Sequence, residues 1–354
     1  MSSEQGTALL QRMMTPYEGK THTVVAFGHR DGEAQFVGTG PGIEAAPLDE
    51  LIFEIGSITK VFTATLLWVL VEEGKVDPKA PLRDLSSELS VVPDWITPER
   101  LTSHTSGLPR IHVPIWKALI KPLPKDPYAA FSRADLLDWL RNWPATPPRS
   151  TPHHSYSNLG IGLLGEALAI KEGRSFMELL TRKVFAPLGM KDTAENVDAD
   201  SLHRFMHPKN TKGVDAVPWT FQSMAAAGCL RSTAGDLNRF AAGVLRALNA
   251  PETKLDRAIC HSVQPIVGLG PRGRFEPAAQ CSGWFQMTVR PKGLKILHHD
   301  GGTAGSTSAL YICPERNRAV GVLSNNGVAA SLWAGMKLGW SNPLKLADAY
   351  FLEN

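Results

Sequence analysis

The sequence predicts an α+β fold, an α/β sandwich in which a central antiparallel sheet flanked by helices is completed by both ends of the chain around an inserted helical region. Two observations predict it. Strand-like runs fill residues 1–80 and 255–354, while residues 81–254 read as helices joined by Pro-rich loops. Within the first β part the strand candidates are separated by a short turn signal, which suits antiparallel neighbours. The sheet region is therefore assigned to 1–80 and 255–354, the insertion to 81–254, and an active site to their junction.

The elements follow in order. Runs 22–29 and 33–37 flank Arg30-Asp31-Gly32 as a hairpin, and 51–55 is a short apolar run suited to a third, buried strand. Residues 58–71 are apolar almost all the way round, the pattern of a helix inside a domain, and Gly74 ends it. Helices are expected over 132–142, 159–172, 175–185 and 234–248, the last behind Thr233 as a cap. Strands are expected over 283–289, 294–299, 306–312 and 319–323, with a broken helix from about residue 329.

Composition narrows the function. A chain of 354 residues with 43% hydrophobic and 20% charged content can bury a large core. Its net charge of +3, without a dense Lys/Arg run, argues against a nucleic-acid or lipid surface and for a small-molecule or peptide substrate. The first residues lack a basic start followed by a long apolar core, and the longest apolar run is broken by Thr63, Thr65, Glu72 and Glu73. A cytoplasmic protein with no membrane partner is expected. Cys229, Cys260, Cys281 and Cys313 are widely spaced, which reads as reduced and mostly buried thiols.

Ser57 and Lys60 lie three apart at the start of the buried helix, on one side of it. A serine hydroxyl is a poor nucleophile near neutral pH, and a desolvated lysine within reach can take its proton. The first turn also offers free backbone amides to a developing negative charge. Ser-x-x-Lys arises by chance about once in a chain of this length, so context must carry the reading. Tyr156-Ser157-Asn158 supplies a tyrosine able to relay a proton to the leaving atom and an amide able to fix Lys60 or the substrate. His299-Asp300-Gly301-Gly302-Thr303-Ala304-Gly305, at a strand end, lets a substrate approach the backbone and offers an amide opposite that of Ser57.

In this order and spacing the three pieces resemble the serine β-lactamase and penicillin-binding family, in its branch of class C β-lactamases, D-alanyl-D-alanine carboxypeptidases and family VIII esterases. The resemblance extends to Leu101-Thr-Ser-His-Thr-Ser-Gly-Leu-Pro109, Phe185-Ala-Pro-Leu-Gly-Met190 and Gly228-Cys-Leu-Arg-Ser-Thr-Ala-Gly-Asp-Leu237, and spans residues 20–326. It implies the β-lactamase/transpeptidase-like fold, Ser57 as the acylated nucleophile, Lys60 as its base, and Tyr156 as a second general base and acid. Asn158, His299, Gly301 and Gly302 become substrate-binding and oxyanion residues, with the amides of Ser57 and Gly302 as the oxyanion hole. No cofactor and no metal are implied. The order in which Lys60 and Tyr156 act is left open.

His299 stands where the family's lysine would be. A mostly neutral imidazole holds a substrate carboxylate less well than a permanent cation. Asp300, in place of the family's threonine, adds negative charge near the site unless the strand pleat turns it away. The expected activity is therefore a serine hydrolase acting on small carboxylic esters. The rivals are a β-lactamase, a D-aminoacyl peptidase or amidase, or a biosynthetic acyltransferase of the same mechanism. A non-catalytic binding protein would have no chemical reason to keep Ser57, Lys60 and Tyr156 together. Residues 108–128, apolar and Pro-broken, are a candidate acyl-chain wall, with Trp219 and Phe221 as further candidates. Gly160-Ile-Gly-Leu-Leu-Gly165 follows a Pro-rich stretch instead of a strand, so its glycines read as close helix packing. His153-His154 and His298-His299 are sequential pairs whose side chains diverge, a poor metal set.

Overall fold

The computed structural model describes residues 3–113, 126–147, 153–270, 275–289, 293–327 and 350–351. Helix α1 (Ser3–Met14) leads into strands β1 (Val24–Arg30) and β2 (Glu33–Thr39). Then come β3 (Ile52–Glu54), α2 (Thr59–Glu72), α3 (Pro98–Thr102), α4 (Arg133–Asn142), α5 (Asn158–Glu172) and α6 (Phe176–Leu180). The chain continues through β4 (Arg231–Thr233), α7 (Ala234–Asn249), α8 (Lys254–Ser262), β5 (Val267–Gly268), β6 (Phe275–Gln280) and β7 (Phe285–Val289). It closes with β8 (Leu294–Gly302), β9 (Thr307–Cys313) and β10 (Arg318–Ser324).

One antiparallel sheet of eight strands runs in the order β2-β1-β10-β9-β8-β7-β6-β5. The α+β class and the sheet with flanking helices are those read from the sequence. Strand β10 lies between β1 and β9, pairing from Val24↔Ser324 to Arg30↔Arg318, so the two ends of the chain share one sheet. Side-chain alternation fixes this register. Val25 and Phe27 face the large core under the helices, while Val24 and Ala26 face a second cluster built on α1.

Several elements differ from expectation. Residues 52–54 do not join the central sheet. They pair with β4 in a separate two-stranded sheet, because after the edge strand β2 the chain leaves through the turns Ile43–Ala45 and Leu48–Glu50. The sequence reading has no α1, although Leu9, Leu10, Met13 and Met14 form one buried face, and no α8, although Thr253 and Asp256 make a capping box. Residues 175–185 form a short α-helix followed by a π turn, Thr181–Phe185, ahead of Pro187. The helix expected from residue 329 lies outside the described residues. No described helix is long and apolar enough to cross a membrane. All four cysteines are free, and Cys229, Cys281 and Cys313 are buried.

Asp236 fixes the edge of the helical layer. It sits in the first turn of α7, where Thr233 Oγ1 accepts its backbone N–H at 3.1 Å. Its fully buried carboxylate accepts hydrogen bonds from Lys191 N (3.2 Å), Asp192 N (2.8 Å), Thr193 Oγ1 (2.8 Å) and Arg239 Nη1 (2.9 Å). Asp236→Ala leaves those donors without a partner and should cost about 3–5 kcal/mol, read from the urea denaturation midpoint. A loss below about 1 kcal/mol would contradict this role.

Candidate active site

The turn Gly56–Ile58 carries Ser57 directly into α2. Gly56 has φ +48°, and a Cβ there would stand 2.6 Å from Gly302 N. A Cβ on Gly301 would stand 1.9 Å from Ile55 O. The end of β8 therefore lies backbone to backbone against the Ser57 turn, which only glycines allow. Ser308 Oγ donates to Ile55 O at 2.8 Å and holds the same junction. Beneath it, buried Glu54 accepts from Thr303 Oγ1 (2.6 Å) and Trp219 N (2.9 Å), with Arg231 Nη2 at 3.5 Å. This pair ties β3, β4, the loop after β8 and the segment of Trp219 into one frame.

Lys60 has no exposed surface, and its Nζ lies 2.9 Å from Ser57 Oγ while donating to Ala227 O at 2.5 Å. Ala227 is delivered by helix packing: a Cβ on Gly162 would meet Met224 Sδ at 2.2 Å, and one on Gly165 would meet Ala226 Cβ at 2.2 Å. These glycines let α5 and residues 224–227 close together, the packing role read from the sequence. Burial pushes the Lys60 amine well below its usual value, and the nearby Arg110 cation adds to the shift. Lys60 is thus an amine that burial makes costly to charge, within reach of a serine hydroxyl.

Tyr156 precedes α5, whose first turn is capped by Ser157: its Oγ accepts from Gly160 N at 2.9 Å and donates to Pro109 O at 2.7 Å. The Tyr156 hydroxyl is hydrogen-bonded to Ser57, and Lys60 Nζ lies 5.2 Å from its ring centroid. Burial pushes the phenol above its usual value, while the Ser57 bond and Arg110, 5.1 Å over the ring, act the other way. Ser57, Lys60 and Tyr156 therefore come together.

Asn158 does not hydrogen-bond Lys60, whose second contact is Ala227 O. Its Nδ2 donates to Tyr128 Oη at 3.1 Å, and its Oδ1 is buried without a partner among the described residues. Tyr128 stacks on Phe221 at 4.9 Å and meets Trp219 edge-on at 5.4 Å, so Asn158 links an aromatic wall to the cluster. Of the segment 108–128, residues 114–125 lie outside the described residues.

His299 is buried, and its Nδ1 donates to Asp300 O at 2.7 Å, which assigns the proton to Nδ1 and leaves Nε2 as a buried acceptor with no partner among the described residues. Burial, with Lys60 nearby, pushes the imidazole down to about 3, so the ring is neutral. The pleat turns Asp300 to the other side of β8, where Tyr311 Oη donates to it at 2.9 Å. Burial raises its carboxyl to about 6. The histidine pairs do not gather into a metal site: His154 Nε2 lies 3.0 Å from Gln280 Oε1, and no group of potential ligands stands together among the described residues. Arg110 and Tyr128 come from the 108–128 segment read as a candidate acyl-chain wall, though neither was singled out, and Ala227 is an addition that sequence reading missed. Ala227 acts through its carbonyl, for which a sequence carries no signal.

Known proteins resemble this chain in sequence and in fold. Residues 13–334 match the family model described as Beta-lactamase. The chain is 26% identical over 295 residues to the D-alanyl-D-alanine-carboxypeptidase/endopeptidase AmpH of Escherichia coli K12, covering 79% of this chain and 72% of that protein. It is 26% identical over 322 residues to penicillin-binding protein 4 of Amycolatopsis lactamdurans, covering 86% and 81%. In fold it is similar to the class C β-lactamase of Rhodobacter sphaeroides, with a TM-score of 0.77 at 22% identity over 99% of this chain and 100% of that one. With its family model spanning nearly the whole sequence, the chain belongs to the Beta-lactamase family, the serine hydrolases of the β-lactamase and D,D-peptidase type.

Proposed function

We propose that this chain is a carboxylic ester hydrolase working through an acyl-enzyme on Ser57, with Lys60 and Tyr156 as its acid and base groups. The observation that carries the preference for esters is His299, a buried neutral ring that presents an acceptor where the resemblance places a lysine. Such a ring offers no fixed positive charge to a substrate carboxylate. A small ester can instead lay its acyl chain along Tyr128, Trp219 and Phe221. A second reading, D-alanyl-D-alanine carboxypeptidase or β-lactamase activity, is favoured by the names of the relatives.

In the first step Ser57 Oγ attacks the ester carbonyl and its proton passes to neutral Lys60. The oxyanion is held by the backbone amides of Ser57 and Gly302. Tyr156 then gives its proton to the departing alkoxide and recovers one from the Lys60 ammonium, which leaves the acyl-enzyme and a neutral alcohol. Water attacks the ester carbon, the same groups take up its proton, and Ser57 leaves as the hydroxyl. Ala227 O anchors one amine hydrogen throughout, which keeps the Lys60 lone pair aimed at the reacting atoms.

Lys60→Ala and Tyr156→Phe should each lower kcat on p-nitrophenyl butyrate by at least ~100-fold, and near-normal turnover in either would remove its role. The pH profile should follow the lowered amine. Lys60 works when unprotonated, so kcat/KM on this neutral ester rises with pH and levels off well below 10.5; a rise continuing to that pH would contradict a desolvated base. Wild type should show a higher kcat/KM for p-nitrophenyl butyrate than for nitrocefin. The reverse order would favour the second reading.

A further inference from the structure

We propose that His104 is a positioning residue for Tyr156, gripping the backbone on both sides of it through a neutral imidazole protonated on Nε2. The inference rests on the acid and base role given to Tyr156 above. His104 follows α3 and is 1% exposed. Its carbonyl oxygen accepts the N–H of Ser155 at 2.8 Å, and its ring Nδ1 accepts the N–H of Ser157 at 3.2 Å. The residues before and after Tyr156 are therefore held by one side chain and its own main chain. The imidazole also packs on the Tyr156 ring, centroid to centroid 4.4 Å at 37°.

His104 has φ +57°, a left-handed conformation that a non-glycine residue seldom adopts. Addressing both flanks of Tyr156 from one residue is what this conformation accompanies. The grip also dictates a protonation state. Nδ1 faces an N–H donor, so it must keep its lone pair, and the ring proton belongs on Nε2. A cationic ring would set a donor against a donor and release Ser157. The surroundings oppose that cation: besides the Tyr156 phenol packed on it, the groups that act on the ring are Lys60 on α2, His154, His299 on β8 and Arg110, all basic, so no carboxylate among them would stabilise it. Burial pushes His104 well below its usual value in the same direction.

The consequence is kinetic. A tyrosine displaced by a fraction of an ångström still binds substrate but transfers its proton poorly, so loss of the grip should appear in kcat more than in KM. His104→Ala should lower kcat on p-nitrophenyl butyrate roughly 10- to 100-fold with little change in KM. His104→Asn should recover most of that loss, because asparagine tolerates the left-handed conformation and can place an acceptor near the site of Nδ1. In a Tyr156→Phe background, His104→Ala should add little further loss, since it acts through the missing hydroxyl.

Three kinetic results would overturn the assignment: His104→Ala turning over like wild type while Tyr156→Phe is slow, fully additive losses, or an asparagine variant no better than alanine. If Tyr156→Phe is itself as fast as wild type, the reading of Tyr156 has failed and the grip is decided by the wild-type ring. With 15N-labelled histidine, His104 should show the neutral Nε2-protonated tautomer at pH 7 and keep it at pH 5. An Nδ1-protonated or cationic ring would overturn the proposal whatever the variants do, including an alanine variant that fails to fold.

Discussion

The arrangement around Ser57 depends on one constraint: an amine with no exposed surface and no anionic partner cannot hold its proton cheaply. Lys60 meets that condition. Its Nζ touches a serine hydroxyl and a backbone carbonyl, neither of them charged, and a second cation, Arg110, lies near enough to oppose protonation. The desolvation that makes Lys60 expensive to charge is what would let it act as the base of the proposed mechanism. The helix that carries it is apolar on every side because its first turn must lie in the core.

Much of the fold can be understood as delivering three backbones to that amine. Gly162 and Gly165 let α5 close on residues 224–227, which brings the Ala227 carbonyl to Lys60 and, at the start of the same helix, Tyr156 to Ser57. Gly56 and Gly301 let the end of β8 lie on the Ser57 turn. The buried Glu54 and Arg231 pair holds β3, β4, Thr303 and Trp219 together beneath the Ser57 turn. A change at these glycines inserts a Cβ into backbone or side-chain atoms that have little room to move, so its effect should reach the chemistry through geometry.

What could be read in the sequence follows from the range of each interaction. Ser57 and Lys60 share a helix turn, so their proximity is a matter of spacing, and the glycines of 160–165 announced close packing by their composition. The strand alternation around Val24–Phe27 was equally local. The partner of residues 52–54 was not, because β4 comes from a distant part of the chain. Ala227 contributes a carbonyl that every residue possesses, and the bond of Asn158 to Tyr128 joins residues 30 apart in the chain. For His299, the residue type implied a mostly neutral ring, but only its bond to the Asp300 carbonyl shows that it presents an acceptor.

The central claim is that Ser57 forms a covalent acyl intermediate because a neutral Lys60 takes its proton. Intact-mass spectrometry after treatment with a fluorophosphonate tests it most directly. One adduct per chain, mapped to Ser57 and absent in Ser57→Ala, is the predicted result. A wild-type protein that remains unlabelled at every pH, or a label that survives Ser57→Ala, would contradict it.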